Sequence, residues 1–154
     1  MASVLVRTEI DAPPSEVWRV VSSIPDHVAW MDDAVGIEIT SQRTSGVGTT
    51  FDCETRVGPI ELTDHREVTE WVEGRVIGVA HTGVVSGSGR FTLVEAPDGR
   101  TVFAWEETLH FPWWLGGVLG EVPGAWLLRR IWARNLSNLA AEVARGRSSS
   151  LRPR

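Results

Sequence analysis

The chain contains no lysine and no tyrosine, so all fifteen of its basic residues are arginine. Lysine Schiff-base chemistry and a tyrosine acid or proton donor are therefore excluded. A single cysteine, Cys53, cannot close an intrachain disulfide. The chain lacks an N-terminal apolar leader and any apolar run near about twenty residues, so neither a signal peptide nor a membrane span is expected, and the expected location is cytoplasmic. Phosphate backbones demand a coherent cationic patch, and a net charge of −5 with no basic run before the tail argues against a nucleic-acid partner. There is no Gly-rich phosphate loop with Lys, no Gly-x-Ser-x-Gly elbow and no dinucleotide fingerprint, so no cofactor is expected. Gly87-Ser88-Gly89 reads as a hairpin. His27, His81 and His110 show no Cys/His/carboxylate spacing typical of a metal site, and no metal is expected.

What the chain does have is tryptophan: eight residues, against four phenylalanines. An indole offers a large flat apolar surface with one donor, which suits a packed core and equally suits the wall of a cavity that holds a polycyclic ligand. At 154 residues the chain is long enough for one domain that buries roughly two-thirds of its unfolded surface. We place that domain at 1–145. Residues 146–154 lack apolar periodicity and are expected to be a disordered tail.

Val4, Val6, Thr8 and Ile10 alternate with Leu5, Arg7 and Glu9 as a first strand, closed by Asp11-Ala12-Pro13-Pro14. Pro14 suits the first turn of a helix carrying Val17, Trp18, Val20 and Val21, and Pro25 breaks the chain into a second short helix reaching about Met31. Six antiparallel strands are then predicted over about 35–41, 48–57, 60–71, 75–82, 88–95 and 101–111. Their separators are turn signals: Ser45-Gly46-Val47-Gly48, Gly58-Pro59, Glu73-Gly74, Ser86-Gly87 and Ala96-Pro97-Asp98-Gly99. After Pro112-Trp113-Trp114-Leu115-Gly116-Gly117 the period changes from 2 to 3.6, and a long helix is predicted over about 122–145. Leu128, Trp132, Leu139 and Val143 form its apolar stripe, with Asn135 inside the stripe and Arg129, Arg130, Arg134 and Arg145 outside it. A polar amide on a buried face needs partners, so Asn135 is either a satisfied core residue or a ligand-facing group. The whole is an α+β domain, a seven-stranded antiparallel sheet curved around a long C-terminal helix, with two short helices after strand 1.

That order, with Ile10-Asp11-Ala12-Pro13-Pro14-Ser15-Glu16-Val17-Trp18, Pro25-Asp26-His27-Val28-Ala29-Trp30, Val68-Thr69-Glu70-Trp71 and Ala96-Pro97-Asp98-Gly99-Arg100-Thr101, resembles the START-like helix-grip (SRPBCC) superfamily and its bacterial polyketide cyclase/dehydrase branch. The resemblance implies a deep cavity between sheet and last helix that binds lipids, sterols, hormones, quinones or polyketides, and in some members cyclises a nascent polyketide. Aromatase/cyclase relatives are proposed to use a cavity Arg with an Asn of the last helix. Asn135 matches that Asn by position, whereas the Arg slot is read here as Glu67.

On the last strand Phe103, Trp105, Glu107, Leu109 and Phe111 share a bulky face that should meet the helix, which leaves Glu106 on the solvated face. Among aromatics Glu107 should be desolvated and its pKa raised unless an Arg or other donor compensates, which makes it a candidate acid or base. Strand 60–71 has no cleanly apolar face. The resemblance puts Thr63, His65 and Glu67 inward, and a single bulge would substitute Asp64 and Arg66. With the first register, His65 and Glu107 form a candidate catalytic pair. The candidate ligand-binding set is Trp18, Trp30, Phe51, Thr63, Glu67, Phe91, Leu93, Phe103, Trp105, Leu109, Leu128, Trp132, Asn135 and Leu139. Cys53 alternates with the apolar side of its strand and reads as a small buried hydrophobe. A hydrophobic small-molecule ligand is the expected partner. Polyketide cyclisation or dehydration at the same site is the enzyme alternative, and a homodimer or an acyl-carrier-type partner docking on Trp113, Trp114 and Trp126 is the third class.

Overall fold

The computed structural model describes residues 2–115 and 117–151. Strand β1 (Ala2–Ile10) leads into helix α1 (Pro14–Val21), whose extended Pro13 and first-turn Pro14 fix the entry and whose Val17, Trp18 and Val21 are buried. A 3-10 helix (Ile24–Ala29) follows. The meander then runs β2 (Ala34–Ile39), β3 (Thr50–Val57), β4 (Ile60–Val72), β5 (Val76–Thr82), β6 (Ser86–Glu95) and β7 (Thr101–His110). A 3-10 turn (Trp113–Leu115) precedes α2 (Gly117–Leu151).

All seven strands form one sheet in the order β1-β7-β6-β5-β4-β3-β2, and every pairing is antiparallel. This is the helix-grip architecture. On β7 Phe103, Trp105, Glu107 and Leu109 are all at most 5% exposed, so the sheet's inner face is fixed in register. Trp132, Leu136, Leu139 and Val143 of α2 complete the core.

Several boundaries differ from those expected, and the last helix begins at Gly117 rather than at about 122. The turn expected at Ser86-Gly87 lies earlier, at 83–85, and Gly87 is inside β6. With φ +150°, it lies against Thr108 so closely that a Cβ would sit 1.8 Å from the carbonyl oxygen. Helix α2 also runs on past 145 to Leu151. Arg147 holds it there by donating to the Asp11 carbonyl (2.7 Å) and pairing with Glu16 (2.9 Å), contacts that need no apolar stripe. The tail expectation for 152–154 falls outside the described residues. Among the described residues no helix is long and apolar enough to cross a membrane.

Candidate functional site

Under the N-terminal half of α2 the packing between helix and sheet opens into a cavity of about 220 Å³. Its walls are Val57, Ile60, Leu62, Val85, Leu109, Phe111, Leu127, Leu128 and Trp132. Ile60 and Leu127 are 40% and 43% exposed and mark the mouth. Buried Asp64, His81 and Glu107, together with Arg66, form a polar floor. A second void of only about 20 Å³, about enough for one water, lies beyond it and shares Arg66 and Glu107 as lining.

The floor is assembled by strand register. In β4 the pairing to β5 shifts between Val68 and Glu70, and this bulge at Thr69 turns Asp64, Arg66 and Val68 inward. Thr63, His65 and Glu67 are therefore on the other face, which corrects the preferred register and removes His65 as a partner of Glu107. His65 instead contacts Asp52 of β3 at 2.5 Å. His81 takes the inner place. It continues the face of Ile77 and Val79 on β5, pairs directly with Arg66, and its Nε2 lies 3.5 Å from Glu107 Oε1. Glu107 reaches it across β6 because the opposing residue is Gly89, where a Cβ would sit 2.7 Å from the carboxylate.

Burial pushes the Glu107 carboxyl up, but the adjacent His81 imidazole, the Arg66 guanidinium and the Trp105 Nε1–H donor (3.0 Å) outweigh it. The net shift is downward, so Glu107 is an anion rather than the neutral acid that burial among aromatics alone would give. Burial likewise disfavours the charge of Arg66, yet Cys53, Glu107 and Asp64 together hold its pKa above the usual value. Arg66 Nη2 sits 3.3 Å from Asp64. Burial pushes the Cys53 thiol up, in keeping with an unreactive side chain.

Asn135 is fully buried and fully engaged. It donates to Asp33 Oδ1 (2.7 Å) and accepts from the Asp32 backbone N–H (2.9 Å). Trp132 Nε1 donates to the other Asp33 oxygen (3.2 Å), so two α2 side chains clasp the segment before β2. Asn135 therefore holds the frame and is not in the cavity lining.

Of the candidate ligand-binding residues, Leu109, Leu128 and Trp132 line the main cavity beside Glu107, and Phe51, Phe91 and Trp105 border the small void. Trp30, Leu93, Phe103 and Leu139 are core. Trp18 stacks edge-on with Trp71 and donates to Glu73, away from both spaces. Trp30 and Asn135 therefore do not join Trp105 and Glu107 at either space, because the 3-10 helix packs Trp30 into an aromatic cluster and Asn135 is held by the segment before β2. Two titratable residues of the site, His81 and Asp33, are not among the sequence candidates, and neither are the apolar wall residues Val57, Ile60, Leu62, Val85, Phe111 and Leu127. Period-2 alternation through Ile77, Val79 and His81 carries a signal for the first, and nothing local carries one for the second. At the mouth Trp113 and Trp114 are 86% and 54% exposed, and Trp126 is 61% exposed under Arg130. Among the described residues no group of His, Cys, Asp and Glu could hold a metal ion.

A family model described as polyketide cyclase / dehydrase and lipid transport matches residues 1–144. No curated protein matches the chain. Among solved structures, TTHA0849 from Thermus thermophilus superposes with a TM-score of 0.78 at 16% identity, covering 94% of this chain and 98% of its own. The Zhui aromatase/cyclase from Streptomyces sp. R1128 gives 0.68 at 18% identity, covering 93% of each chain. Ara h 8.0201 gives 0.68 at 13% identity, covering 92% of this chain and 97% of its own. At these identities the structural likenesses speak for the fold.

Proposed function

The chain belongs to the polyketide cyclase/dehydrase and lipid transport family, and on that premise we propose that it binds a small, mainly apolar molecule whose polar end rests on Arg66, His81 and Glu107. The observation that carries this reading is the cavity itself: apolar walls of strand and helix residues that end on a buried polar floor. Such an arrangement gives affinity through apolar area and orientation through a few polar groups. The aromatic ring of Trp132 on one wall suits a flat ligand.

One observation favours an enzyme version of the same site. His81 and Glu107 lie 3.5 Å apart with open space beside them, so a proton could pass between a bound substrate and a buried imidazole backed by a carboxylate. That is the group arrangement a cofactor-independent cyclase or dehydratase needs, and the Zhui aromatase/cyclase shares the fold.

Native mass spectrometry of protein purified from its own host tests the binding reading. A co-purifying small molecule, lost when Leu128→Trp fills the cavity, supports it, and an empty parent protein that also fails to take up neutral polycyclic compounds contradicts it. Glu107→Gln separates the two versions: retained affinity for neutral ligands with no turnover by parent or variant favours a carrier, and retained affinity with the parent's turnover abolished favours an enzyme.

A further inference from the structure

The floor of the cavity is unevenly charged. Asp33, Asp64 and Glu107 bring three carboxylates to the lining, against the single guanidinium of Arg66 and the imidazole of His81. Even with the imidazole protonated the acids outnumber the bases, and low-dielectric walls leave that excess poorly screened. Asp33 adds to it, because among the described residues its oxygens are held by the uncharged donors Trp132 and Asn135 rather than by a cation.

Among the described residues two buried polar atoms of the floor, Asp64 Oδ1 and Arg66 Nε, lack a hydrogen-bond partner, and His81 Nε2 has only the 3.5 Å contact to Glu107. They are neighbours. Asp64 and Arg66 stand two residues apart on one face of β4, and Arg66 is paired with His81 across the β4–β5 ladder. Asp64 Oδ1 can only accept and Arg66 Nε can only donate, while the imidazole nitrogen does either. A purely apolar ligand would bury these groups unpaired. A carboxylate would satisfy the donors, yet it would add a negative charge to an acidic floor and bring no proton to Asp64. A hydroxyl suits both unpartnered atoms, giving its proton to Asp64 and accepting from Arg66.

We propose that this cavity selects uncharged, hydroxyl-bearing ligands, phenols or alcohols on an apolar body, and rejects carboxylates. The proposal rests on the binding reading above and narrows its ligand class. Calorimetric titration of the full chain with 2-naphthol, naphthalene and 2-naphthoate near neutral pH tests it, since the three share one ring system and differ in the polar group. We expect 2-naphthol to bind about tenfold or more tighter than 2-naphthoate, and several-fold tighter than naphthalene. In Asp64→Asn, which removes one negative charge and offers a donor, the preference over 2-naphthoate should shrink to about threefold or less. Equal or tighter binding of 2-naphthoate by the parent protein overturns the proposal without need of the variant. Equal binding of all three overturns it while leaving the cavity a general apolar site. Failure of all three to bind overturns the binding reading, and the selectivity with it.

Discussion

The two halves of the interior, built on one sheet and one helix, differ in how they are filled. Beneath the 3-10 helix, Trp30, Phe91, Phe103 and Trp105 meet at ring separations of 5.2–6.3 Å and leave a void of only about 20 Å³. Beneath the first half of α2 the same sheet carries Asp64, Arg66 and His81, and about 220 Å³ stays open. Trp105 and Trp132, stacked 4.6 Å apart, stand between the two. The closed half is sealed by rings, and the clasp of Asn135 and Trp132 on Asp33 fixes the boundary with the open one. The open half exists because its strands place charged groups where large apolar side chains would otherwise meet the helix. Close apolar packing and the buried polar cluster are thus carried by different stretches of the same elements.

This contrast can be broken by mutation. Trp30→Ala in the closed half removes a ring that is 1% exposed and should cost about 3–5 kcal/mol, read by denaturant unfolding. Much of the acid response should come from the same half. Burial lowers the His27 pKa from an ordinary 6.5 to about 4, with a hydrogen bond to the Val21 carbonyl acting the other way. Because the unfolded chain takes up the proton first, this contribution is full above pH 6.5, is lost as pH falls toward 4, and amounts to about 3 kcal/mol at most. The depressed Glu107 pKa adds a loss that continues below the ordinary carboxylate range. A stability–pH curve for His27→Phe should be flatter between those limits, and an unchanged slope would reassign the effect.

Smaller effects follow at the boundary and in the open half. Asn135→Ala strands a buried Asp33 oxygen and the Asp32 amide, for about 1–3 kcal/mol, again by denaturant unfolding. Leu128→Ala only enlarges existing space and should cost about 1 kcal/mol or less. If Leu128→Ala proves as damaging as Trp30→Ala, the two halves are not distinct. Smallest is the expected effect on stability of Trp126→Arg, whose indole is outside the core. Its readout is sedimentation: a parent that self-associates and a monomeric variant would assign the exposed tryptophans to an interface, and a monomer in both would remove that role.

Where one face of a strand is plainly apolar, alternation alone positions it, and β7 is legible to the residue through Phe103, Trp105, Glu107 and Leu109. The apolar stripe of α2 and the tandem short helices are equally readable. β4 resists because both of its faces carry charge, so only the bulge at Thr69 decides which one points inward, and the bulge has no signature of its own in composition. Asp33 enters the cavity through a partnership with residues about a hundred positions away, which no local pattern encodes. Gly89 is visible as a glycine, but its purpose, leaving room for the Glu107 carboxylate, needs the partner strand.

On this reading the open half is a ligand site rather than an imperfectly filled core. Titrating 2-naphthol into the parent and into Leu128→Trp, with unfolding free energies measured for both, distinguishes the two. We expect that the parent binds, that the filled variant does not, and that the variant is at least as stable. Undiminished binding by an equally stable filled variant would contradict the assignment.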